Sequence, residues 1–176
     1  MLRCVDRARL QALQKPLKDR YGQEPEAALV TLSATGELDG DEIVCSVATG
    51  RALVEAGLHP ATGGSGTLAC SGDMLLQALA ACAGVTLRSV ATSLEIAVTG
   101  TVRAEGELDF RGTLGVAKDA DVPVGFRAIR LRFDLSGDAT DEELDTLVRL
   151  TERYCVVYQT LARATPVSVS RAHARE

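Results

Sequence analysis

From Met74 to Leu87 eleven of fourteen residues are apolar, and they fall on every side of a helical projection. A helix that is apolar all round must be covered all round, so the fold of this chain has to be organised about this segment. The pattern predicts a helix from Asp73 to about Ala91. Asp73 stands in its first turn, where a carboxylate suits the unpaired N–H groups and the positive end of the helix dipole. The nearly unbroken apolar run, Met74 to Val85, is too short to span a bilayer, which takes about 20 residues. The expected cover is therefore protein.

The rest of the chain offers strands to provide it. Aromatic residues are only 3% of the sequence and Trp is absent, so Ala, Leu and Val must fill the core. Arg3 to Tyr21 carries Leu10, Leu13 and Leu17 at helical spacing, with Pro16 as a point of interruption. Two β-like runs follow, Ala28–Ala34 and Glu42–Thr49, with Asp39-Gly40 as a hairpin signal between them. Gly57 to Gly72 is rich in Gly, Ser and Thr without periodicity and reads as a long surface loop, the kind that often carries function. No Gly-Lys-Ser/Thr follows its glycines, so it is not a phosphate loop.

Beyond the apolar helix, Leu94–Ala104, Glu107–Val116 and Phe126–Leu135 read as strands, with turns at Glu105-Gly106, Pro123 and Gly125. Thr140 opens a second helix whose first turn holds Asp141, Glu142 and Glu143. Its apolar stripe is Leu144, Leu147, Val148 and Leu150, and it continues through Cys155 to about Leu161 with room for a break. Pro166–Ser170 reads as a last short strand. Strands joined by hairpins, with helices set apart, predict an α+β fold with a mainly antiparallel sheet packed on a long buried central helix. At 176 residues, without repeats or a dividing linker, the chain is expected to be one domain, 1–176, with residues 1–25 as a helical N-terminal extension.

A net charge of −5 and the lack of any Lys/Arg cluster argue against nucleic acid and against a membrane surface as partners. No apolar run stands behind the basic residues of the first fifteen positions, so no secretory signal is expected. Five cysteines (Cys4, Cys45, Cys70, Cys82, Cys155), an odd number without C-x-x-C spacing, fit a reducing cytoplasm, where a Cys is either a small core residue or a reactive thiol. His59 and His173 have no partners at metal-ligand spacing, so neither metal nor cofactor is expected.

Cys82 and Cys155 each sit inside a predicted helix, and from composition alone both can be core residues. The segments around them add to this. SGDMLLQALAACAGVTL and ERYCVV, the latter followed by TL and a Val-rich stretch, resemble the central-helix and second-cysteine elements of the OsmC/Ohr family, over roughly residues 28–170. The resemblance implies an OsmC-like fold assembled as an intertwined homodimer, and a thiol-dependent reductase of organic hydroperoxides. Cys82 matches the attacking cysteine and Cys155 the resolving one. An external dithiol would reduce the disulfide they form. Asp73 matches an acidic position, usually Glu in the family, that orients an activating arginine.

Asp73 equally fits a plain helix-start carboxylate. Arg51, the nearest upstream arginine, fits either a solvated strand end or that activating cation. Cys70 is either a bystander or a thiol able to replace or assist Cys155. The family commonly has Pro after its second cysteine, where this chain has Val156. A sulfenic acid needs a resolving thiol to escape overoxidation, and a thiolate to form at all. An OsmC-fold binding or redox-sensing protein without efficient turnover is the alternative.

Overall fold

A computed structural model describes residues 6–8, 11–12, 14–15, 23, 36–37, 44–48, 53–115 and 122–172. The expected strand Ala28–Ala34, the turn at Asp39-Gly40, and Cys4, Arg51 and His173 lie outside them. In the predicted N-terminal helix, the described residues from 7 to 15 are helical.

Two sheets flank the long helix. The first comprises β1 (Gly36–Glu37), β2 (Val44–Ala48), β3 (Leu53–Gly57) and β4 (Ala69–Cys70) in that order; β3 and β4 run parallel and the other pairs antiparallel. The second is a long antiparallel ribbon of β5 (Thr99–Leu108) and β6 (Phe126–Ser136). Between the sheets in sequence lies α1 (Ser71–Leu94). A one-turn helix, α2 (Phe110–Thr113), follows β5, and α3 (Asp141–Tyr154) and α4 (Val156–Ala162) close the fold.

The glycine-rich segment is less open than its composition suggests. A 3-10 turn at Pro60–Thr62 and strand β4 occupy part of it, and α1 begins inside it at Ser71. Gly64 packs its Cα against the Leu58 carbonyl so closely that no side chain fits, which folds the loop back on itself.

The expected turn at Glu105-Gly106 is absent, because β5 runs straight through it, with Glu105 opposite Arg130 and Gly106 opposite Ile129. Gly106 is there for another reason: the Phe126 ring lies where its side chain would be. The chain reverses between Leu108 and Phe126, which face each other at the end of the ribbon, and Gly115 in that interval is left-handed (φ 67°). The strand expected from Leu94 starts instead at Thr99, since α1 continues to Leu94 and ends on left-handed Glu95 (φ 60°).

Pro166–Ser170 forms no strand. Val167 and Val169 are 86% and 95% exposed, and an extended run without an edge to pair with is not a strand.

One stripe of α1, Leu79, Ala83, Leu87 and Ala91, is buried. These residues recur every four positions, so they line one face. Leu87 and Ala91 join Val98 and Leu147 in the core, with Ile96, Phe133, Leu135 and Leu144 packed around them. Val85, on the opposite face, is 73% exposed in the single chain, and Leu75 and Leu94 at the two ends of the helix are 37% and 44% exposed. All-round burial therefore does not occur within one copy. With 24 residues α1 is long and apolar enough to cross a membrane by length and composition alone, yet it packs against α3 and β5.

The second helix starts as its sequence predicts. Thr140 caps α3 in a reciprocal pair with Glu143, accepting the Glu143 N–H while the Glu143 carboxylate takes the Thr140 N–H. It then breaks at Cys155, whose backbone is extended (φ −73°, ψ 111°).

Candidate active site

The break at Cys155 builds the site. Cys155 N–H still bonds the Thr151 carbonyl at 2.8 Å, and its own carbonyl takes the Gln159 N–H at 2.9 Å. One residue thus ends α3 and opens α4. Its sulfur caps α4 by accepting the Tyr158 N–H at 3.5 Å, and Cys155 is 0% exposed. The next two N–H groups, of Val156 and Val157, belong to the first turn of α4 and have no partner within that helix. The β-branched pair Val156-Val157 gives poor helix propagation after the cysteine, which favours a restart over a continuous helix.

Cys82 is half-buried on α1 and meets this new helix start. Burial pushes its thiol up, but hydrogen bonding from the Val157 backbone, the Cys155 thiol, the Val156 backbone and the Thr86 side chain outweighs it and leaves the thiol below its ordinary value. Cys155 behaves oppositely: burial and the neighbouring Cys82 sulfur push its thiol up. Two cysteines 73 positions apart in sequence are therefore neighbours that act on one another, one inclined to ionise and the other to keep its proton. The thiolate belongs to Cys82.

No charged side chain contributes to this among the described residues. Arg51, the cation candidate, lies outside the described residues; among those described, it is backbone N–H groups at a helix start that favour the Cys82 thiolate, a contribution that sequence spacing did not reveal. Its only trace was the room for a break near Cys155. Thr86, one turn after Cys82, went unnoticed for the same reason: a Thr in an apolar helix has no signature until its neighbour is known.

The other candidates fall elsewhere. α1 is continuous, so nine residues separate Asp73 from Cys82 by about 13.5 Å. Asp73 instead lines an open cleft of about 510 Å³ with His59, Cys70, Phe126 and Arg127. Cys70 lies twelve residues before Cys82, about 18 Å along the same axis. A disulfide requires Cα atoms within about 7 Å, so within one chain Cys70 cannot take the place of Cys155. His59 accepts the Ala61 N–H at 3.1 Å and stacks on Phe110 at 4.8 Å, which accounts for it structurally. The side chain of Cys45 is outside the description. Among the described residues no group of three or more His, Cys, Asp or Glu side chains converges. Beside Thr86 runs a groove of about 650 Å³ with walls of Val85, Val90, Leu94, Leu150 and Tyr154.

The role of the α4 N–H groups can be measured. Alkylation of Cys82 should rise with pH to a midpoint below that of an ordinary thiol, because the reactive thiolate predominates above a lowered pKa. In Val156→Pro the midpoint should move upward. Proline lacks the N–H, is tolerated at the first position of a helix, and demands the extended backbone that Cys155 already has. An unchanged midpoint in a folded variant would show that this N–H does not act on the sulfur.

A family model described as OsmC-like protein matches residues 64–170. Solved structures share the fold. An OsmC-like protein from Mycoplasma pneumoniae superposes with a TM-score of 0.62 at 17% identity, covering 76% of this chain and 88% of its own. A protein from Legionella pneumophila, described as an organic hydroperoxide resistance protein OsmC and predicted redox protein, gives 0.58 at 17%, covering 76% and 91%. An organic hydroperoxide resistance protein from Elizabethkingia anophelis gives 0.56 at 20%, covering 75% and 88%. No curated sequence matches. At these identities the likeness to the solved structures is one of fold.

Proposed function

Because the chain belongs to the OsmC-like protein family, we propose that it reduces organic hydroperoxides through Cys82 and Cys155. The observation that carries this reading is the meeting of Cys82 with the helix break at Cys155, where the thiol of Cys82 is lowered and that of Cys155 raised. The Cys82 thiolate attacks a peroxide oxygen, the O–O bond breaks, and the alcohol departs with a proton, leaving a sulfenic acid. Cys155 loses its proton and attacks that sulfur. The S–S bond forms, the S–O bond breaks and water leaves. An external dithiol then restores both thiols by exchange. The aliphatic groove beside Thr86 suits the hydrocarbon part of such a substrate. A cytoplasmic setting, which keeps thiols reduced, fits the cycle. Asp73 lies too far along α1 to touch the sulfur of its own chain, so any part it plays is in positioning a cation from another element.

The test is peroxide consumption coupled to dithiol oxidation. Turnover with cumene or tert-butyl hydroperoxide supports the reading. Among the described residues no charged group acts on Cys82, which favours a second reading, a redox-sensing protein that forms the disulfide once without turning over. Stoichiometric disulfide formation without sustained consumption would select it.

The reading includes a homodimer. The bare face of α1 lies next to other exposed apolar groups at the helix break, Tyr154 at 60% and Val156 at 68%. Water contact over such a surface is unfavourable, and a second copy offers a complementary apolar face. Sedimentation equilibrium at micromolar concentration is expected to give twice 18.6 kDa. A mass of 18.6 kDa that does not change on concentration sinks the dimer.

A further inference from the structure

Leu147, Thr151 and Cys155 follow one another at four-residue intervals toward the core, each 0% exposed. In their midst the Thr151 hydroxyl has no hydrogen-bond partner among the described residues. Other helical threonines are occupied: Thr92 donates to the Arg88 carbonyl and Thr160 to the Val156 carbonyl, both at 2.8 Å. A buried hydroxyl left idle is unfavourable, and a valine of the same shape would avoid the loss. The residue makes sense if another state of the site uses it.

The chemistry of the pair supplies that state. In the reduced protein Cys82 is the thiol inclined to ionise and Cys155, buried beside it, the one inclined to keep its proton. Once Cys82 is oxidised, Cys155 has to become the nucleophile while buried, where forming a charge without a donor is unfavourable. Tyr158 N–H, at 3.5 Å, is one donor to that sulfur, and a thiolate can accept more than one. Thr151 is one turn earlier on the same face, and side chains at i and i+4 are neighbours, with the later one tilted back toward the earlier. The Thr151 carbonyl already holds the Cys155 N–H.

We propose that Thr151 is a positioning residue for the resolving step, its idle hydroxyl turning to donate to the Cys155 sulfur as that sulfur attacks. The inference rests on Cys155 being the resolving thiol. Cys155 gives up its proton, its sulfur bonds the oxidised sulfur of Cys82, and the S–O bond breaks so that hydroxide and that proton leave as water. Thr151 keeps its own proton throughout.

The test compares the native chain with Thr151→Val and Thr151→Ser under two oxidants, by rapid quenching and mass spectrometry. With diamide the Cys82 thiolate adds to the N=N bond, and Cys155 then displaces the substituted hydrazine, so disulfide closure is read without any peroxide chemistry. Closure, measured relative to the first step on Cys82, is expected to slow about tenfold in Thr151→Val, the loss of one hydrogen bond to a charged atom. Serine, which keeps the hydroxyl, is expected to restore it, a rescue that a packing role would not give. Closure in Thr151→Val as fast as in the native chain, or serine failing to restore it, overturns the proposal. A chain inert to hydroperoxide that still shows the slowing and rescue with diamide defeats the peroxidase reading and supports the role of Thr151.

Discussion

Replacing Cys82 with serine is expected to lower hydroperoxide consumption by about a thousandfold or more, while the chain stays folded. Serine differs by one atom and fills nearly the same half-buried space, so the packing of α1 on the start of α4 persists. A serine hydroxyl, however, stays protonated under conditions in which a lowered thiol ionises, and losing the nucleophile of a covalent mechanism removes several orders of magnitude. Cys155→Ser should fail differently. Its first equivalent of peroxide is consumed, after which the Cys82 sulfenic acid has no thiol to meet and climbs to sulfinic acid. Counting peroxide equivalents consumed per chain, with intact-mass measurement of the oxygen added, separates the two. If Cys82→Ser keeps its rate to within about tenfold of the native chain, Cys82 is not the nucleophile.

The largest effect on stability is expected from Leu147→Ala. Leu147 is 0% exposed and packs with Leu87, Ala91 and Val98, so truncation deletes buried methyl groups and opens a cavity in the aliphatic core. Such changes cost about 3 kcal/mol. In a chain of 176 residues that is a fall in Tm of about 6–12 °C. Leu161→Ala, at 39% exposure, is the contrasting control and should cost under about 1 kcal/mol. Protein concentration must be matched between variants, because self-association couples stability to concentration. The thiol pair lies eight residues along α3 from Leu147, about 12 Å, so its reactivity at low temperature should survive the loss. A cost below about 1 kcal/mol for Leu147→Ala would mean that the α1–α3 seam is not the principal core.

Local rules carried the reading where the controlling interactions are local. The capping box at Thr140 and Glu143 is a matter of three residues, and it stands where the sequence places it. The apolar run of α1 announced a helix whatever packed on it, and the α+β class followed from the order of elements. The same local rules failed at Gly106, where a turn residue serves a ring 20 positions away. They failed also at Pro166–Ser170, where alternation satisfies the pattern of a strand but the run stays exposed and joins neither described sheet.

By itself the sequence determined that one long apolar helix organises the fold, that mainly antiparallel strands and an amphipathic helix accompany it, and that Cys82 lies in the apolar helix. It could not determine what lowers the thiol of Cys82. That depends on a helix broken at Cys155, which turns two backbone N–H groups toward a sulfur 74 and 75 positions earlier in the chain. Backbone groups are the same at every position, so no residue pattern marks the ones that will carry charge stabilisation. Only the packing of α4 on α1 selects Val156 and Val157, because electrostatic effects follow distance in space, and distance is settled by the tertiary fold.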